Sequence, residues 1–160
     1  MPVIQWIDSE GGPLIAIPRS CRADWTGILS RDYDDACGVV GYLGVLKRKW
    51  GQALLFGDAP MLTGVIHRPD GLALVRWVWG PSENEFLRVA LHTELDGVSP
   101  TETLRVWLRD EPYVVFDSAA PGSEAESIEF TPRGGIHMIR TYAVNDEARQ
   151  VSLVLHCLER

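Results

Sequence analysis

Clustered positive charge is missing from this chain. Its 160 residues hold 15 Lys and Arg against 22 Asp and Glu, a formal charge of −7, and the only basic run is Lys47, Arg48 and Lys49. Sequence-independent binding to phosphate backbones needs clustered Lys and Arg that displace counterions, so the composition argues against a nucleic-acid binder. Long apolar runs are missing as well: none approaches the roughly 18 residues of a membrane span. The opening MPVIQWIDSEGG has no basic segment followed by an apolar core, so no secretory signal is expected and the cytoplasm is the expected compartment. Cysteine is scarce. Cys21, Cys37 and Cys157 form an odd set without CxxC spacing, and His67, His92, His137 and His156 are scattered, so no metal site or cofactor is implied. In a reducing compartment the three thiols read as small buried hydrophobes. Neither a Walker-type phosphate loop nor GxGxxG occurs. Gly11-Gly12 ahead of Pro13 reads as a tight turn, and Gly134-Gly135 between two strand-like runs as a hairpin turn.

What is present describes one folded domain over residues 1–160. Hydrophobic residues at 46% and charged residues at 23% are ordinary for a globular chain, which argues against disorder. Gly and Pro punctuate short apolar runs, the pattern of many short strands. The expected strands cover 13–17, 39–46, 53–56, 62–67, 71–79, 104–109, 113–116, 127–131, 136–144 and 150–158, with a turn at Gly57-Asp58-Ala59-Pro60 and a short helix within 19–27. In Gly71 to Trp79, Ala73, Val75, Trp77 and Trp79 share one parity, so that face is expected to be buried. Glu85 to Leu95 fits a strand by its alternating Leu87, Val89, Leu91 and Leu95. It equally fits a helix, because Phe86, Leu87, Ala90 and Leu91 form a stripe and Ser82 with Glu85 makes a capping-box pattern. Both remain open. The expected fold is mainly β, a β-rich α+β domain of antiparallel sheets in a sandwich-like arrangement with one or two short helices. Ser118 to Ser127 is expected to be an acidic surface loop.

No catalytic set is assembled. Asp32, Asp34 and Asp35 could approach a hard cation, but the segment lacks the sixth-position Gly and twelfth-position Glu of an EF-hand loop, and a solvated loop or helix cap accounts for it. A competing reading is a small-ligand-binding or thiol- or metal-dependent enzyme domain with Asp32, Asp34 and Cys37 at its site. It requires a deep pocket and a strongly perturbed ionisable group. A structural or assembly protein would instead expose a large apolar patch. Of the six Trp, Trp6, Trp25, Trp77 and Trp79 sit in apolar contexts and are expected in the core, whereas Trp50 and Trp107 are flanked by basic residues and are expected to be partly exposed.

An ordered set of segments resembles the immunity protein 21 family of bacterial polymorphic toxin systems. It consists of Trp6-Ile7-Asp8-Ser9 with Gly11-Gly12-Pro13, then Pro18, Trp25, Gly27, Asp32-Tyr33-Asp34 and Ala36-Cys37. Gly41-Tyr42-Leu43-Gly44, Leu54 to Asp58 with Pro60, Arg76-Trp77, and Phe116-Asp117-Ser118-Ala119 with Pro121-Gly122 follow. The resemblance implies a protein that binds and neutralises a cognate toxin, with no enzymatic activity, cofactor or metal. The segments 47–50 and 80–112 depart from it and are where partner specificity is expected to vary.

Charge divides unevenly along the chain: positions 1–80 hold 8 basic and 8 acidic residues, positions 81–160 hold 7 and 14. Many nucleic-acid-attacking toxins are basic, and complementary charge speeds encounter. Partner-binding residues are therefore expected among Glu83, Glu85, Glu94, Asp96, Glu124, Glu126 and Glu129, with Asp32, Asp34 and Asp35 added from the first half.

Overall fold

A computed structural model describes residues 3–57 and 61–160. Asp58, Ala59 and Pro60 of the expected turn, and Met1 and Pro2, lie outside the described residues. In chain order the elements are β1 (Trp6–Ile7), β2 (Leu14–Pro18), α1 (Asp32–Ala36), β3 (Leu43–Arg48), β4 (Gly51–Phe56), β5 (Leu62–Arg68) and β6 (Gly71–Trp79). There follow α2 (Glu83–His92), β7 (Glu102–Leu108), β8 (Tyr113–Asp117), β9 (Ile128–Phe130), β10 (Gly135–Asp146) and β11 (Val151–Glu159). Two 3-10 turns, Arg19–Asp24 and Gly27–Leu29, precede α1.

All strand pairs are antiparallel, in two sheets: a six-stranded one ordered β1-β5-β6-β11-β10-β7 and a five-stranded one ordered β3-β4-β2-β8-β9. The expected β-rich α+β sandwich is what forms. Strand parity sorts side chains into layers. Leu14, Ala16, Leu54, Phe56, Tyr113 and Val115 of the smaller sheet meet Leu74, Val106, Leu108, Ile139 and Leu158 of the larger one. The opposite parity of the smaller sheet, Ile15, Ile17, Ala53, Leu55, Val114 and Phe116, packs under Trp25 and Ala36. On the far side of the larger sheet, Ala73, Val75, Leu153, Leu155 and Cys157 pack against α2.

The open choice at Glu85 to Leu95 resolves as a helix. Ser82 Oγ accepts the Glu85 N–H, and Phe86, Leu87, Val89 and Ala90 supply a stripe at helical spacing. Phe86 stacks on Trp77 at 4.2 Å between ring centroids. At its end, both the N–H and the hydroxyl of Thr93 donate to Val89 O.

Four expectations are corrected. Gly134-Gly135 is not a hairpin turn, because β9 belongs to the smaller sheet and β10 to the larger one; the glycines carry the chain between layers. Trp79 is 63% exposed rather than buried. A register shift sets Trp77 opposite Leu153 but Trp79 opposite Ser152, so Val78 is an extra residue and the alternation changes beyond it. Cys37 is exposed, at the end of a five-residue helix, whereas Cys21 and Cys157 are buried. The strand expected from Val39 starts at Leu43, since Gly41 adopts a positive φ of 81° that no strand uses.

The face of β6 opposite Trp77 is buried too. Arg76 lies between the sheets, its Nη1 donating to Gly57 O at 2.8 Å and its guanidinium 6.0 Å from the Phe56 ring centre. His156 shares this interior, its Nδ1 2.8 Å from Thr141 Oγ1 and its ring edge-on to Phe56. Burial, with the Arg76 charge beside it, lowers the His156 pKa to about 3, so the imidazole is neutral in the fold.

Candidate functional site

The acidic residues singled out from sequence fall in several places. Asp32 and Asp35 both bind Arg48 Nη2, at 3.0 and 2.8 Å. Burial alone would raise the Asp32 pKa, but hydrogen bonds from Thr26 and the Arg48 charge outweigh it and hold the carboxyl below its usual value. Asp34 is exposed on the same helix. The Cys37 N–H donates to Tyr33 O, and the Cys37 thiol raises the Tyr33 phenol pKa. With Asp32 turned to Arg48, the competing acid and thiol reading finds no assembled site. Glu83 accepts the Trp6 indole N–H at 2.9 Å, Glu85 pairs with Arg88 and Arg149, and Glu129 pairs with Arg19. Glu94 and Asp96 are exposed beyond α2, beside a cleft that also contains Arg68 and Asp70.

Glu124 and Glu126 differ, because they edge an open groove of about 580 Å³ at one end of the sandwich. Clefts beside α2 measure about 340 and 380 Å³. The groove is apolar where Ile7, Ile28, Leu29, Pro121 and Ala125 line it, and its other charged members are Asp8, Glu10 and Asp117. Every ionisable side chain lining it is a carboxylate. None of the five takes part in an ion pair among the described residues. Ile28 and Leu29, adjacent on the second 3-10 turn, are 66% and 75% exposed.

Local chemistry holds these walls in place. Trp25 is buried, its indole N–H donates to Ser118 O at 2.9 Å, and its carbonyl accepts the Gly122 N–H at 2.8 Å. Gly27 turns with φ of 58° against the Ala119 carbonyl, leaving no room for a Cβ. This lets Ile28 N–H donate to Ala119 O at 3.1 Å. Arg22 reaches across to the carbonyls of Gly122 and Ala125. Asp117 accepts the N–H groups of Glu10 and Ala119. The expected acidic surface loop at 118–127 forms this wall, and the segments at 6–13, 25–27 and 116–122 quoted for the family resemblance converge on it.

Sequence reasoning missed Asp8, Glu10, Ile28, Leu29 and Asp117 as groove residues. Ile28 and Leu29 belong to no motif, and nothing in their spacing relates them to residue 117. A second exposed apolar pair, Trp107 and Ile136, sits directly across β7 and β10, with Arg105 and Arg140 nearby on the same strands. Among the described residues no three His, Cys, Asp or Glu side chains gather as a metal site would require, and no helix is long and apolar enough to cross a membrane.

The fold and the groove define a β-rich α+β sandwich with an open, acid-edged surface at one end. The family model for immunity protein 21 matches residues 5–150, and the chain belongs to that family. Membership implies an immunity protein, a toxin as its general partner, and a role other than catalysis. No curated protein and no solved structure gives a significant match.

Proposed function

We propose that the chain binds and neutralises a cognate bacterial toxin by forming a stoichiometric protein–protein complex in the cytoplasm, without a cofactor or metal. Family membership over residues 5–150 carries this reading. The charge of −7 supports it physically, since an acidic inhibitor is drawn to a basic partner and excluded from nucleic acid. Neutralisation then follows from occupancy: the complex covers surface that the toxin needs for its target, and no bond in either protein is made or broken.

The test is co-expression with the toxin domain encoded beside this gene. Restored growth, and co-elution of the two chains at a fixed ratio, is the expected result. Toxicity that persists with every neighbouring toxin domain would overturn the proposal.

A further inference from the structure

We infer that the groove between the Ile28-Leu29 turn and the 117–126 wall is the toxin-docking surface, and that its occupant is a cationic toxin segment presenting an apolar side chain between Lys or Arg residues. The inference rests on the proposed toxin binding and adds its location and chemistry. Three independent observations carry it.

Ile28 and Leu29 are large, adjacent and exposed, on a backbone turn set by Gly27 and the Ile28-to-Ala119 hydrogen bond. Because that backbone is already tied to the neighbouring wall, a partner that covers the two side chains has no loop to order first. Next to them the floor is apolar, and at about 580 Å³ the groove lies within the size range of ligand clefts. Its charge has one sign: Asp8, Glu10, Asp117, Glu124 and Glu126, without a Lys, Arg or His in the lining. Such an edge repels an acidic segment, gives a neutral one no electrostatic gain, and complements a basic one. The Trp107 and Ile136 pair has no such acidic edge: Arg105 and Arg140 are its neighbours on the same strands, and Arg140 is already paired with Glu159.

The experiment uses the full chain and the toxin domain encoded beside its gene. Affinity is measured for the unaltered chain and for Ile28→Ser with Leu29→Ser. A second variant, Glu124→Lys with Glu126→Lys, and a control of equal charge change, Asp110→Lys with Glu147→Lys, complete the set. All six positions are exposed, and thermal denaturation checks that each variant folds. The groove variants are expected to bind at least 100-fold and 30-fold more weakly, respectively, and the control within threefold of the unaltered chain. Hydrogen exchange in the complex should slow at 26–29 and 117–126.

If the unaltered chain binds and both groove variants bind within threefold of it, the docking surface lies elsewhere: this inference falls and toxin binding stands. If the unaltered chain binds no neighbouring toxin domain, both fall together. Sedimentation of the free chain provides a further arm. A dimer abolished by the Ile28 and Leu29 substitutions would assign the groove to self-association and overturn the cationic occupant.

Discussion

The α1 carboxylates and the groove carboxylates are neighbours with different surroundings: Thr26, whose N–H donates to Asp32, immediately precedes the Gly27–Leu29 turn that walls the groove. Asp32 and Asp35 are answered from within by Arg48, whose guanidinium also lies 5.7 Å from the Trp25 ring centre. Around the groove, Asp8, Glu10, Asp117, Glu124 and Glu126 form no ion pair among the described residues. A carboxylate already neutralised by its own fold contributes to stability and has little attraction left to offer. One without a counter-charge contributes little to stability and retains its field. Counting acids along a sequence cannot separate these two kinds; the position of one arginine does.

The largest test of that contrast is Trp25→Ala, because Trp25 underlies both regions. A fully buried aromatic truncated to Ala costs about 3–5 kcal/mol, and the loss here includes the hydrogen bond to Ser118 O. Urea denaturation should show that loss, and toxin affinity should fall with it. If stability falls while the groove still binds normally, the two regions are less connected than their geometry implies.

Acid titration comes next, and it has two contributions that must be separated. His156 has a folded pKa of about 3 against an unfolded value near 6.5. Below pH 6.5 the unfolded chain therefore takes up a proton that the native state refuses. Stability falls by about 1.4 kcal/mol per pH unit toward pH 3 from this group alone. Asp32, with its pKa lowered, contributes stability that is complete above its unfolded value and lost only as pH falls through the folded one. His156→Gln should flatten the slope between pH 6.5 and 4 and leave the more acidic part in place; an unchanged slope there would remove His156 as its source.

Arg48→Met tests the answered cluster directly. It strands two partly buried carboxylates and should cost about 1–2 kcal/mol by chemical denaturation. The acid limb attributed to Asp32 should shrink, because its carboxyl then loses the charge that depresses it. A cost within error of zero would mean that α1 resembles the groove after all.

The smallest effect is expected at the groove itself. Glu10→Gln, Glu124→Gln and Glu126→Gln combined should leave stability within about 0.5 kcal/mol of the starting protein, as for surface changes away from structural interactions. The rate of association with the toxin domain should fall and lose much of its salt dependence. A stability loss equal to that of Arg48→Met would end the contrast between the two clusters.

The extent to which the sequence foretold this structure follows from the range of the forces involved. Ser82 and Glu85 announced the start of α2 because a cap is settled within one helical turn. β2, β4 and β8 were readable as short apolar runs between Gly and Pro, and β7 by its alternation, since a pleat sorts residues two apart. Trp79 was misread because a single bulge reverses that sorting. Gly134-Gly135 was misread because a glycine pair permits a change of direction without specifying which sheet the chain enters. The groove was illegible for a related reason: Asp8, Ile28, Asp117 and Glu126 meet through separate turns. The charge division along the sequence does not predict the groove either. Each sheet sets its first-half strands on one side and its second-half strands on the other, and the groove draws Asp8 and Glu10 from one half and Glu124 and Glu126 from the other.

The place of β11, the last strand in chain order, sets a timetable. It lies between β6 and β10, so a nascent chain halted before Val151 leaves those two strands without the neighbour that joins them. Pairings so distant along the chain form slowly, and translation at about 5–20 residues per second puts roughly 4–16 seconds between the end of β6 and the end of β11. During that interval the larger sheet exists only as two separate parts, β1-β5-β6 and β10-β7, and its two halves gain a common core only when β11 enters between them.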